Sequence, residues 1–153
     1  MILNLNNKSM RVKCIYNTGK DLRQFELKEF HGNNEVGRFG ATGNTLYNEI
    51  DIGEEYYVGG IIVSDSCVKY LIDSGGYVFS LPAYLFETID DKFNENWSFC
   101  LVGKKHPLYP NVEVIIGYKE LCNNTSHYND LLEVDIEAQK IYFLRKIEIE
   151  KGK

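Results

Sequence analysis

A chain of 153 residues with 44% hydrophobic and 25% charged residues has the length and composition of one soluble globular domain. Its net charge of −5 argues against binding to nucleic acid or to an anionic membrane surface, since both depend largely on lysine and arginine. An acidic chain instead favours a basic protein as its partner. The sequence has no run of about 18 apolar residues, so we expect no transmembrane helix.

The first eight residues and the cysteines together predict a cytoplasmic protein with reduced thiols. Residues 1–8 are too short and too polar for a secretory signal peptide. The cysteines form no Cys-x-x-Cys pair, and none stands at zinc-binding spacing from a histidine; they are Cys14, Cys67, Cys100 and Cys122. We therefore expect no metal centre and no cofactor, and we expect the cysteines to act as small buried apolar residues.

The beginning of the chain predicts one strand followed by a long loop. Residues 10–16 alternate in polarity and indicate a strand. Turn residues occupy 17–21, and residues 22–30 are compatible with either a short strand or a helical turn. Residues 31–48 are polar and rich in glycine. A loop of this length in a compact domain is usually functional or disordered.

Four β-rich runs fill the next stretch, from Ile52 to Asp91. Gly59 and Gly60 interrupt the first run, where glycine predicts a bulge or a sharp bend. Asp73-Ser74-Gly75-Gly76 is a strong hairpin turn, because adjacent glycines accept positive φ without steric cost. Pro82-Ala83-Tyr84 is typical of a single helical turn. The four runs are residues 56–63, 68–72, 77–81 and 85–89.

This order of strands, hairpins and one short helical turn resembles that of an SH3-like barrel. The resemblance implies an α+β fold, in which a strongly bent antiparallel SH3-like β-barrel covers residues 10–102 and C-terminal helices pack on it. In such a barrel a long loop after the first strand often lines the binding face. Residues 31–48 are therefore a candidate for that position, and whether Gly37–Gly43 is ordered stays open.

The C-terminal third predicts one more strand and then helices, all within a single domain of residues 1–153. Residues 97–102 alternate, with Trp97, Phe99 and Leu101 on one side of a strand. Residues 111–117 stay open between strand and helix, because their composition is β-like but Asn111 could cap a helix.

A helical turn is expected at residues 118–122, and two helices are expected at residues 127–133 and from 135 to about 149. The longer helix carries an apolar stripe that we expect to face the core. The stripe consists of Ile136, Ile141, Leu144 and Ile147, widened by Ala138, Tyr142 and Phe143. Residues 111–150 would thus form a helical extension of the barrel.

Leu71-Ile72-Asp73-Ser74-Gly75 resembles the active-site segment of retroviral-type aspartic proteases. In those enzymes two chains bring together two carboxylates that share one proton. Gly76 stands where that family usually has alanine or serine, and Tyr118 follows Ile115-Ile116-Gly117 where arginine or aspartate is usual. A hairpin turn also gives Asp73 a complete structural role, so a hydrolase that uses Asp73 ranks third among the functional hypotheses.

Two further patterns give no support for catalysis. Gly37–Gly43 lacks the Gly-Lys-Ser/Thr ending of a phosphate-binding loop and is not flanked by a strand and a helix. The histidines, His31, His106 and His127, are far apart and have no nucleophile at a suitable spacing. We therefore predict no catalytic residue.

Acidic residues gather on the predicted turns of the barrel. They lack the regular alternation of a calcium-binding loop, so we expect no metal there. A group of carboxylates on one face can instead steer a basic protein into contact. The residues that we predict to bind a partner in this way are Glu54, Glu55, Asp65, Asp90 and Asp91.

Two segments resemble small bacterial immunity-type proteins, the cytoplasmic antidotes of polymorphic toxins. The resemblance implies a non-enzymatic protein that neutralises a toxin by direct contact, with no catalytic or contact residues to carry over. The second hypothesis is an inhibitor of a host defence protein, carried by a phage or mobile element. The segments are Tyr57-Val-Gly-Gly-Ile-Ile through Pro82-Ala-Tyr-Leu-Phe-Glu-Thr-Ile-Asp90 to Trp97, and Gly117-Tyr-Lys-Glu-Leu121 through His127-Tyr-Asn-Asp-Leu-Leu132 to Ile141-Tyr-Phe143.

Overall fold

A computed structural model describes residues 9–103, 111–124 and 126–151, which form an α+β domain. Residues 1–8, used above to argue against a signal peptide, and His106 lie outside these ranges. The strands are β1 (Arg11–Cys14), β2 (Glu55–Ser64), β3 (Val68–Ser74), β4 (Tyr77–Pro82), β5 (Phe86–Asp90), β6 (Ser98–Leu101) and β7 (Val112–Gly117). The helices are α1 (Gly19–Leu22), α2 (Lys119–Asn123), α3 (His127–Leu132) and α4 (Ile136–Glu150), with 3₁₀ turns at Arg23–Phe25 and Ala83–Leu85.

Strand β2 is the centre of the sheet. It pairs antiparallel with β1 through Glu55–Tyr57 and with β3 through Val58–Val63, while β7 lies along the edge opposite β3. The main path runs β4-β3-β2-β1-β5, and β6 joins through β7. The antiparallel α+β prediction is therefore confirmed. Strands β4 and β5 end the path without pairing to each other in the part of the chain described, so this sheet is not closed.

The two glycines of β2 let helices lie directly on its backbone. The register against β3 shifts between Val58 and Gly60, which confirms the predicted bulge. A Cβ atom built on Gly59 would lie 2.2 Å from the ring of Tyr142 in α4. One built on Gly60 would lie 2.5 Å from the side chain of Leu121 in α2. Any side chain at either position would push the helices away from the sheet.

Alternating side chains of the sheet divide into two cores. The loop-side core joins Val58, Ile61 and Ile72 to the segment between β1 and β2, through buried residues such as Phe39 and Tyr47. The helix-side core includes Tyr57, Ile62, Leu71, Ile115, Leu121, Leu131 and Tyr142. The sheet is thus covered by a long loop on one face and by helices on the other.

Several open questions of the sequence are answered by these pairings. Residues 111–117 contribute strand β7, because Ile115 and Ile116 pair with Ile62 and Ile61 of β2. Residues 22–30 begin with a 3₁₀ turn and contribute no strand. The β3–β4 hairpin turns at Gly75 and Gly76, whose φ angles of 59° and 86° are both in the left-handed region. The single helical turn after β4 is also present.

Helix α4 differs from its predicted orientation. Asp135 caps its N-terminus by accepting a hydrogen bond from the Ala138 amide at 3.0 Å. Ala138 and Tyr142 are buried as expected, but Ile136, Leu144 and Ile147 are exposed. The prediction that the last three face the core is wrong. Polar and apolar residues are mixed around the circumference of this helix, so its pattern specifies no inward face, and the fit of Tyr142 against Gly59 decides which side lies inward.

Candidate protein-binding surface

Strand β1 places four of the five predicted partner-binding residues around itself. Glu55 on β2 lies opposite Lys13, and Glu54 precedes it, with its carbonyl oxygen accepting a hydrogen bond from the Cys14 amide at 2.9 Å. On the other side of β1, Asp90 of β5 lies opposite Arg11, and Asp91 follows. Strand β5 adds Glu87, which lies opposite Lys13. We call Glu54, Glu55, Glu87, Asp90 and Asp91 the acidic strip.

The carboxylates of the acidic strip are not neutralised by ion pairs within the described ranges. No ion pair within 4 Å is formed by its carboxylates in the described ranges, although Arg11 and Lys13 lie between them. Asp90 accepts a hydrogen bond at 2.9 Å from the Lys92 amide, which fixes the turn at the end of β5. Five carboxylates around two cations leave a local excess of negative charge that faces solvent.

Asp65 does not belong to this strip. It lies in the turn after β2, whereas Glu55 begins that strand, so the two are separated by up to ~30 Å of extended chain. Its amide donates to the Asn111 carbonyl oxygen at 3.0 Å, which ties this turn to the start of β7. The structure therefore brings together Glu54, Glu55, Asp90 and Asp91 and leaves Asp65 at the opposite end of β2.

An open apolar pocket of about 260 Å³ lies where β1 ends, lined by Ile15, Phe25, Ala83, Tyr84 and Phe86. Two hydrogen bonds hold the chain that follows β1 to the 3₁₀ turn at Ala83–Leu85. The amides of Ile15 and Tyr16 both donate to the Leu85 carbonyl oxygen, at 2.9 and 3.1 Å. The rings of Phe25 and Tyr84 lie 4.8 Å apart. The exposed ring of Tyr84 is thus presented next to the strand that carries the acidic strip.

The long loop between β1 and β2 supports this pocket. Phe39 is buried and its ring lies 5.3 Å from that of Tyr84. The guanidinium of Arg38 stacks over the Phe39 ring at 4.6 Å, and its buried Nε has no partner among the described atoms. Gly37 and Gly43 donate backbone hydrogen bonds within the loop, to Ala41 and Asn33. The segment Gly37–Gly43 is therefore folded onto the domain.

Asp73 lies on the opposite, helix-covered side of the sheet. One of its oxygens accepts a hydrogen bond from the Tyr142 hydroxyl at 3.1 Å, and the other forms an ion pair with the Lys146 ammonium at 2.8 Å. Burial, and then the charge of Asp73, raise the pKa of Tyr142, so this phenol stays protonated as the donor. An acid pair that shares a proton needs a second carboxylate, and the contacts of Asp73 are instead a cation and a phenol.

His127 is buried in the helix-side core, where its hydrogen-bond partner is a phenol. Its Nε2 lies 2.6 Å from the hydroxyl of Tyr118. Burial lowers the pKa of His127, against the opposing charges of Glu120, Asp130 and Asp135. Burial raises the pKa of Tyr118, which leaves a neutral phenol against a neutral imidazole. The pair satisfies two polar groups inside the core, and His31 is exposed far from it in the sequence.

Metal binding and membrane insertion find no support in the ranges described. No group of three or more histidine, cysteine, aspartate or glutamate side chains there could hold a metal ion. Within the same ranges, no helix combines the length and the apolar character that crossing a bilayer requires. The surface around β1 offers the acidic strip and the adjoining apolar pocket.

The sequence did not predict the apolar pocket, and it did not predict that Glu87 belongs to the acidic strip. The Pro82-Ala83-Tyr84 turn was recognised, but nothing in the sequence indicated that Phe25 would reach its ring. The pairing of β1 with β5 also brought Glu87 into the strip, and a one-residue irregularity between Arg11 and Val12 sets that register. The alternation of β5 is the one signal from which an outward-facing Glu87 follows.

Comparison with models of protein families finds no match to this chain. Comparisons with curated proteins and with solved structures likewise find none. The likeness to immunity-type proteins consequently stays a prediction, and function has to be argued from the surface itself.

Proposed function

We propose that this chain is a non-enzymatic protein of the immunity type, which neutralises a basic toxin by binding to it directly. The observation that carries the proposal is the acidic strip, whose five carboxylates have no ion-pair partner in the described part of the chain and lie beside an apolar pocket. Protein interfaces typically combine an apolar anchor site with a polar rim. This pairing of features supports binding to a basic protein.

We further propose that the bent sheet is an SH3-like barrel. In support, the path β5-β1-β2-β3-β4 carries one long bent strand, and a one-turn 3₁₀ helix joins β4 to β5. The long segment after β1 packs over the loop-side core and reaches the pocket through Phe39. In this arrangement the pocket and the acidic strip lie on the face that the loop borders.

The two features would contribute differently to binding. Exposed carboxylates raise the rate of encounter with a basic protein and make that rate sensitive to salt. Apolar anchors in a pocket contribute most of the affinity once the proteins are in contact. An antidote of this kind would act in the cytoplasm, where its four free thiols stay reduced.

The test co-expresses this chain with the product of each gene that neighbours its own, and it measures growth and affinity for any product that proves toxic. The variant reverses four charges of the strip, with Glu54, Glu55, Asp90 and Asp91 all changed to lysine. We expect its association with the toxin to slow by roughly tenfold or more at low salt and the difference to shrink at high salt.

A matched control reverses four acids outside the strip and outside the predicted partner-binding set, namely Glu29, Glu95, Glu133 and Glu137, which are all exposed. It changes the net charge by the same amount as the strip variant. A difference in association between the two variants therefore reports the location of the substituted acids and not the total charge. Equal loss of association in both variants would contradict a role for the strip. Full protection by the strip variant, with unchanged salt sensitivity, would also contradict a role for the strip, and a wild-type chain that gives no protection against any of these products would contradict the proposed function.

A further inference from the structure

Among the described strands, β6 lies at an edge of the sheet. It pairs with β7 from Ser98↔Gly117 to Leu101↔Val114, and no other described strand pairs with it. The Val102 amide donates to the Glu113 carbonyl oxygen at 2.8 Å, so Val102 and, by alternation, Cys100 and Ser98 direct their backbone groups toward β7. The amides and carbonyl groups of Phe99 and Leu101 therefore point away from β7, toward the free edge.

The same two residues carry exposed apolar side chains. Phe99 is 70% exposed and Leu101 is 78% exposed, and both project from one face of β6. No ionisable side chain except that of Cys100 occurs from Trp97 to Gly103, which reads Trp-Ser-Phe-Cys-Leu-Val-Gly. Edge strands are normally protected against pairing by short length, charges, prolines or bulges; β6 has only four residues, but charges, prolines and bulges are absent from Trp97–Gly103.

We propose that β6 is a dimerisation edge, on which a second copy of this chain pairs its own β6 antiparallel about a two-fold axis at Cys100. This register places Phe99 opposite Leu101 of the other copy, and the reverse, on the same face. Because both residues direct their backbone groups outward, the two apposed pairs form four main-chain hydrogen bonds. The result is one continuous sheet through two copies.

A second copy fits this edge better than a basic protein does. The segment from Trp97 to Gly103 offers no carboxylate for a basic partner, and two chains of net charge −5 can meet with little repulsion only where the surface is uncharged. Isologous pairing also needs a self-complementary patch, which a strand with similar apolar residues on either side of its centre provides. The acidic strip lies along β1 and β5, so it remains open in the dimer.

The first test measures mass against concentration by sedimentation and light scattering. We expect the wild-type chain to pass from monomer to dimer, and the variant Phe99→Lys/Leu101→Lys to raise the dimer dissociation constant by roughly 100-fold, since like charges then face each other. The control, Ile136→Lys/Leu144→Lys, changes two exposed apolar residues of α4 and leaves the dimer intact. A wild-type chain that stays monomeric, or a dimer that survives the β6 variant, overturns the proposal.

The second test is amide exchange, read residue by residue at low and high protein concentration. The amides of Phe99 and Leu101 should exchange more slowly as the concentration rises, because they gain partners in the dimer. Those of Ser98 and Cys100, which already face β7, should change little. Exchange at Phe99 and Leu101 that does not depend on concentration overturns the register, and neither test requires the toxin.

Discussion

Carboxylates on the helix-covered side of the sheet are paired with cations, whereas those along β1 are not paired in the described ranges. Under the helices, Asp73 faces Lys146, and Glu120 is bound by Arg145, whose Nε donates to it at 2.7 Å. Burial works against ionisation of Glu120, but the hydrogen bonds and charge of Arg145 outweigh it and lower the pKa of the carboxyl group. Along β1, the acidic strip has no such partners in the described ranges.

The difference separates carboxylates that hold the fold from carboxylates that are available to a partner. A charge removed from water is costly unless a cation and hydrogen bonds compensate it, so the covered acids must be paired. An exposed carboxylate needs no partner for stability, and pairing it contributes at most about 1 kcal/mol. Substitutions on the two sides should therefore differ in kind: one side changes stability, and the other changes binding.

The largest effect is expected from Gly59→Ala. The added methyl group would meet the ring of Tyr142, which is fully buried against Tyr57, Tyr118 and Phe143 and cannot move aside. Overpacking of this kind should reduce the free energy of unfolding by about 3 kcal/mol, measured by urea denaturation. Gly32→Ala, where no atom lies within 4 Å of the new methyl group, is the control and should have little effect. Equal stability of the two variants would mean that α4 does not lie on β2.

A smaller effect is expected from Lys146→Met. It leaves Asp73, whose side chain is only 12% exposed, without its cation, and should cost about 2 kcal/mol, since the pair is not fully buried. The double variant Asp73→Asn/Lys146→Met should recover part of this loss. Lys140→Met on the same helix removes the exposed pair with Glu137 and should change stability by less than about 0.5 kcal/mol. Similar losses at Lys140 and Lys146 would remove the distinction between covered and open acids.

The smallest effect concerns His127 and pH. Its folded pKa is below the unfolded value, so the unfolded chain binds the extra proton first, and stability should fall as pH drops below about 6.5. Above that pH the full stability is present. Unfolding in urea from pH 7.5 to 5.5 should show this slope for the wild type and for His31→Gln, but not for His127→Gln. A slope that persists in His127→Gln would assign the proton to another group.

Local signals predicted the strands and turns well because their causes are local. Alternation, the bulge glycines and the Asp73–Gly76 turn each specify backbone geometry within a few residues. The side of α4 that faces the core was not predictable in this way. It depends on Tyr142 fitting over Gly59 and reaching Asp73, partners that lie 69 residues or more away along the chain.

In the candidate site, too, local features were predictable from the sequence and long-range ones were not. Glu54, Glu55, Asp90 and Asp91 were identified as solvated turn acids, which a sequence can indicate by residue type. That Asp65 lies apart from them follows only from the length and pairing of β2. Residue type therefore predicted exposure, while strand pairing determined which exposed acids are neighbours.

Strand β2 contributes side chains to both cores, Val58 and Ile61 to one and Tyr57 and Ile62 to the other. Unfolding of either core would remove the packing from one face of β2 and would expose apolar side chains of the other core to water. The loop-bearing part and the helical part should consequently denature together, in one cooperative step, and neither should persist as a folded fragment after the chain is cut between β7 and α2.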